Sequence, residues 1–145
     1  MTDESQIAAV DRLLHKLLWG LHVKTLEAWT PELEQIGALG LHVIKLAAES
    51  PDRMLGEIRA QLEIPHSTLT SIVNRLESKG LLTRTIHPQD RRSFGLRLTN
   101  EGCRINRAHE RLDREVALRI LDSLGSDAER RQFIALADKI SRGLI

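Results

Sequence analysis

The stretch that most limits how this chain can fold is residues 65–80, PHSTLTSIVNRLESKG. Leu69, Ile72, Val73 and Leu76 fall at i, i+3, i+4 and i+7, which predicts a helix with one side in a core. The other side carries Ser67, Thr68, Thr70, Ser71, Asn74, Arg75 and Lys79, with no acidic residue before Glu77. Short donors and acceptors beside a guanidinium are what contact with base edges and phosphates requires. Gly80 suits a left-handed helix end, with Leu81 placed for the accompanying apolar contact.

The flanking segments extend this unit. Leu55, Ile58, Arg59 and Leu62 repeat at helical spacing, and Glu63-Ile64-Pro65 breaks the chain before the next helix. Two short helices joined by so short a break make a helix-turn-helix, whose second helix can enter the major groove. Then come LLTRTI, the polar Pro-containing HPQDRRS, and FGLRL. They predict a hairpin in which Phe94, Leu96 and Leu98 share one face while Arg97 points away. Its tip holds Asp90, Arg91 and Arg92.

Three ordered motifs carry a family resemblance: RLESKGLLTR, DRRS and LTNEG. Together they resemble the winged helix-turn-helix of the MarR family of transcriptional regulators. The resemblance implies a mainly α fold with a small β-hairpin wing. It divides the chain into an N-terminal dimerisation helix (1–30), a winged helix-turn-helix domain (31–99, wing about 81–98) and C-terminal dimerisation helices (100–145). The chain departs from the family's pattern at Gly37 and Gly40, at Pro65 where a Ser-type cap is usual, and at His87 where the wing commonly opens on an acid. None of these removes a DNA-reading group.

The terminal arms fit that division. Ile7, Val10, Leu14, Leu17 and Leu21 form the seam of a first helix expected over about 3–28. Thr30 and Pro31 start a short second helix, and Gly37 and Gly40 are expected to interrupt the helical stretch that leads to Glu49. Thr99 caps a long helix, and Ser126 with Glu129 caps a last one whose buried stripe would be Phe133, Leu136, Ala137, Ile140 and Leu144. Such stripes flanking a small domain are expected to bury against a second copy. A twofold dimer would set two recognition helices about 34 Å apart, the spacing of one DNA turn, on a near-palindromic operator.

Charge agrees with the assignment of the central segment. Residues 1–50 carry 4 basic and 7 acidic side chains, residues 51–98 carry 8 and 5, and the remainder 9 and 8. Positive charge therefore gathers where phosphates would be met. No run of 18 apolar residues or leader-like segment is evident, so a cytoplasmic protein without membrane contact is expected. No phosphate loop, nucleophile elbow or HExxH motif supports an enzyme, and no cofactor is implied.

The expected DNA contacts are Ser67, Thr68, Thr70, Ser71, Asn74, Arg75, Arg84, Asp90, Arg91 and Arg92. Helix-start hydroxyls can instead satisfy backbone amides. In the family the arginine pattern at the wing tip serves the minor groove, with Asp90 as partner of one arginine; which arginine inserts is open. The resemblance also implies relief of repression by a small effector, aromatic or lipophilic, with Trp19, His22, Trp29 and His42 as candidate pocket residues. Two variants of the reading stand beside it. One is a metal- or redox-responsive regulator of the same fold, using His42, His109 and Asp113, or Cys103. The other is a winged-helix protein-interaction module without DNA function.

Overall fold

The computed structural model describes residues 3–25, 28–87 and 90–144, without the side chain of Arg91. Among them are seven helices: α1 Glu4–Lys24, α2 Pro31–Ile36, α3 Ala38–Glu49, α4 Leu55–Leu62, α5 His66–Ser78, α6 Asn100–Asp122 and α7 Asp127–Leu144. Three strands, β1 Arg53–Met54, β2 Leu82–His87 and β3 Asp90–Leu98, form one antiparallel sheet in the order β1-β3-β2. The mainly helical winged architecture expected from the sequence is present. The chain divides into two compact units: Met1–Glu27 with Asp113–Ile145, and Ala28–Leu112.

In the central unit the apolar periodicities converge on one core. Leu33 from α2, Leu41, Val43 and Ile44 from α3, Ile58 from α4, and Leu69, Val73 and Leu76 from α5 are essentially inaccessible. Leu82 and Leu96 close the core from the sheet, and Ile105 and Leu112 from α6. Each fully buried Leu, Ile or Val contributes about 1.5–3 kcal/mol, so this cluster fixes how α5 and the wing are held. The Thr30 hydroxyl accepts from the amide of Leu33 at 3.4 Å, and Pro31 occupies the first turn of α2 as predicted.

The two glycines expected to interrupt this region behave differently. Gly37 separates α2 from α3 with φ 76°, a left-handed backbone that favours glycine. Gly40 is instead buried within α3, and a Cβ there would sit 2.9 Å from the Ile36 side chain. Close packing, not a break, is the reason for the second glycine.

The sheet is larger than the expected hairpin. β3 pairs with β2 from Leu82 opposite Leu98 to Ile86 opposite Phe94, with an irregularity between Ile86 and His87. It also pairs with β1, Arg53 facing Leu96 and Met54 facing Gly95. A two-residue strand beside a Ser-Pro-Asp turn carries no alternation to reveal it. Leu96 is buried, whereas Phe94, one step beyond the last residue paired with β1, is 42% exposed.

The Thr99 hydroxyl accepts from the amide of Gly102 at 3.0 Å at the start of α6 and donates to the Gly80 carbonyl at 2.6 Å. One side chain thus joins the end of the α5 turn to the start of α6. Arg104 of α6 pairs with Glu101 at 2.6 Å and with Glu32 at 3.0 Å, and both carboxylates raise its pKa above the usual guanidinium value.

The other unit holds α1, the end of α6, and α7. Asp3 caps α1, accepting from the Ser5 amide at 3.2 Å. The helix ends at Lys24, short of the expected 28, because Thr25 leaves helical geometry and its hydroxyl donates to the Leu21 carbonyl at 2.8 Å. Ser126 and Glu129 form the predicted reciprocal cap of α7, at 3.0 and 3.2 Å. The apolar stripe of α7, expected to be buried, is exposed in the single chain: Leu136 is 52% and Ile140 61% accessible. In α1, Leu13 and Leu18 are both 64% accessible. No helix among the described residues is long and apolar enough to cross a membrane.

Candidate nucleic-acid interface

The α5 helix buries Leu69, Ile72, Val73 and Leu76. At about 100° per residue, Ser67, Ser71, Asn74 and Ser78 project from the opposite side, and all four are exposed. Thr68 and Thr70 flank this face and are half-buried. Pro65 occupies the cap position without a side-chain bond, so the hydroxyls of the first turn are not recruited by the cap residue. Glu63 enters the turn between α4 and α5 with φ 51°, which ends α4 sharply.

Two arginines expected to face DNA are tied within the unit. Arg75 is exposed, but its Nη2 donates to the carbonyl of Ile36, the last residue of α2, at 3.0 Å. A cation at a helix C-terminus is favoured by the helix dipole, so Arg75 fastens α5 to α2. Arg84 on β2 forms an ion pair with Glu77 of α5, and its Nη2 donates to Asn74 Oδ1 at 2.6 Å. Glu77, absent from the expected contacts, is therefore the link from α5 to the wing. Its signal in the sequence was the lone acid on a face otherwise free of carboxylates.

At the wing tip, Asp90 accepts from the backbone amide of Arg92 at 2.9 Å and from the Ser93 hydroxyl at 2.7 Å. These bonds, the Ser93 hydroxyl first, hold its carboxyl below the usual carboxylate range. Among the described side chains the partners of Asp90 are thus a main-chain amide and a hydroxyl, and the expected pairing with an arginine falls, for Arg91, outside the described residues. Asp90 and Arg92 are exposed; the Arg91 side chain lies outside the described residues. A cleft of about 460 Å³ next to the wing is lined by Met54, Leu55, Arg59, His66, Arg92 and Phe94 among others. Arg59 and His66 were not among the expected contacts, since neither stands in a motif; folding brings them beside Arg92.

The candidate effector residues fall in both units. Trp19 and His22 lie on α1 with ring centroids 6.3 Å apart, whereas Trp29 and His42 belong to the central unit. A cavity of about 520 Å³ in the terminal unit is lined by Leu17, Trp19, Leu21, Lys16, Lys24 and Arg119 with their neighbours; of the four candidates, Trp19 lines it. Among the described residues no group of three or more His, Cys, Asp or Glu is arranged to hold a metal ion, so His42, His109 and Asp113 form no such cluster. Cys103 is half-buried in α6.

Comparison with known proteins matches the geometry. The MarR family model matches residues 40–94, from α3 to the second wing strand. A protein of Thauera aromatica named for transcriptional regulation of the hcr operon is 31% identical over 124 residues, which are 83% of this chain and 68% of that protein. The crystal structure of FabT of Streptococcus pneumoniae in complex with DNA superposes with a TM-score of 0.80 at 24% identity, covering 95% of this chain and 96% of FabT. PcaV of Streptomyces coelicolor, in complex with its natural ligand, gives 0.69 at 24% identity, covering 99% and 95%. With the helix-turn-helix, the wing and these relatives in agreement, the chain belongs to the MarR family of winged-helix transcriptional regulators.

Proposed function

We propose that this chain acts as a homodimeric, sequence-specific repressor that binds a near-palindromic operator in double-stranded DNA. The observation that carries the reading is the outer face of α5. It offers hydroxyls and an amide at Ser67, Ser71 and Asn74, and the helix's one carboxylate, Glu77, is neutralised by Arg84. Such a surface can approach phosphates and base edges without repulsion. Ser67, Thr68, Thr70, Ser71 and Asn74 would meet the major groove, and Arg91 and Arg92 the minor groove. Arg75, Arg84 and Asp90 act mainly by holding these groups in place.

Dimerisation is supported by the exposed leucines of α1 and the exposed stripe of α7, which a second copy would cover. That PcaV is solved with its natural ligand supports a small-molecule effector; we assign it to an aromatic or lipophilic class, with Trp19, His22, Trp29 and His42 as candidate pocket residues. Such a ligand must prefer one arrangement of the reading heads to shift the DNA equilibrium.

Selection of bound fragments from genomic DNA tests this, with gel-shift titration of the enriched sequence across salt. Enrichment of an inverted repeat, with a log–log salt slope of several units, is the expected result. A chain that enriches no sequence, or binds with no salt dependence, would be a protein-interaction module instead.

A further inference from the structure

We propose that Arg84 sets base specificity by fixing the amide of Asn74 so that it turns its hydrogen-bond donors, and not its oxygen, to the major groove. The inference rests on the DNA-reading assignment above and narrows it to one base pair in each half-site.

An asparagine amide has a donor end and an acceptor end, and free in solvent it can present either. Arginine has donors only. The Asn74 atom that lies 2.6 Å from Arg84 Nη2 must therefore be the oxygen, since the NH₂ end would set donor against donor. The guanidinium cannot turn away to release it. Its Nη1 is paired with Glu77, and the other Glu77 oxygen accepts from the Arg84 backbone amide at 3.4 Å. With Oδ1 engaged, the exposed Asn74 turns its two N–H groups outward, on the side of α5 opposite the core. Ser78, one turn on, donates its hydroxyl to the Asn74 main-chain carbonyl at 2.8 Å.

Two donors match the O6 and N7 acceptors of guanine, or the O4 of thymine. Adenine needs both ends of the amide for bidentate reading, and cytosine presents an amino donor. Asn74 therefore selects keto-bearing bases, guanine foremost, and Arg84 enforces the choice without touching DNA.

The test is selection from a random duplex pool with the wild-type chain and the variants Asn74→Ala, Asn74→Asp and Arg84→Met. In the wild type, one base pair per half-site should favour guanine or thymine about tenfold over adenine or cytosine. Asn74→Ala should erase that preference and leave the other positions unchanged. Asn74→Asp keeps a partner for Arg84, so it folds even if Arg84→Met loosens the wing; it presents an acceptor outward and should invert the preference to cytosine or adenine. Arg84→Met should admit adenine at the same position. The proposal is overturned if Asn74→Ala selects the wild-type pattern at every position, if the position it relaxes is adenine in the wild type, or if Asn74→Asp causes no inversion. A wild-type chain that enriches nothing defeats the DNA-reading assignment itself, a failure seen before any variant is compared.

Discussion

The Thr85 hydroxyl donates to a carboxylate oxygen of Asp52 at 2.8 Å, bridging 33 residues of chain. The other Asp52 oxygen pairs with Arg97, and a Cβ on Gly95 would sit 2.5 Å from the Asp52 carbonyl oxygen. The residue before β1 therefore touches both wing strands. Asp52 itself has φ 62°, a left-handed backbone that Asn and Asp tolerate better than other side chains.

Acid should loosen this bridge. The Arg97 and Thr85 hydrogen bonds hold the Asp52 carboxyl below the usual carboxylate range. A folded-state pKa lower than the unfolded value, about 3.9, contributes stability that is complete above that value and lost as pH falls through the folded one. Asp52→Asn preserves the backbone preference and removes the charge. Its melting temperature should lie below wild type at neutral pH, and the gap should close on acidification below about pH 4. Parallel melts from pH 7 to pH 2 check this.

Gly102→Ala should destabilise the fold. A Cβ there would overlap the Leu81 carbonyl oxygen and approach the Leu98 Cβ at 3.3 Å. Alanine's helix propensity is worth about 1 kcal/mol in its favour. Overpacking costs about 1–3 kcal/mol, and here the obstacle is backbone that also accepts from the Thr99 amide at 3.1 Å. The clash should win, read as a lower urea midpoint at unchanged slope.

Arg91→Ala with Arg92→Ala should weaken operator binding while leaving the melting temperature near wild type. Asp90 anchors the turn through the Arg92 main chain and Ser93, both of which survive the change. If both guanidinium groups approach phosphates, the log–log salt slope should fall by about one to two units. An unchanged slope and affinity would remove the wing tip from the interface.

Ile140→Glu should break self-association. The side chain is 61% exposed in the single chain, so the subunit loses little packing. Placed between two subunits, the carboxylate would be desolvated without a partner. Sedimentation velocity should show a dimer for wild type and a monomer for the variant, with operator affinity lost alongside.

Where side-chain periodicity dictates structure, the sequence was readable. The buried positions of α5, the Thr30-Pro31 start of α2, and the caps at Thr99 and Ser126 all come from local rules. What it hid depends on contacts between distant segments. Nothing local distinguishes Gly37, which needs a positive φ, from Gly40, which needs room beside Ile36. Arg75 and Arg84 carry the charge that DNA contact requires, yet folding brings each to an internal acceptor 39 and 10 residues away. The exposure of the α7 stripe has the same origin: spacing identifies an apolar face but not which molecule covers it.

The pairing of β1 with only Arg53 and Met54 gives the wing the mechanics of a cantilever. β3 is flanked on both sides at Gly95 and Leu96, and outward from Phe94 it has β2 alone. A beam clamped at its root deflects most at its free end, so a load on the tip is taken up by bending beyond Gly95. On the proposed minor-groove contact, such a hairpin would follow a groove whose width varies with sequence without levering α5 out of register.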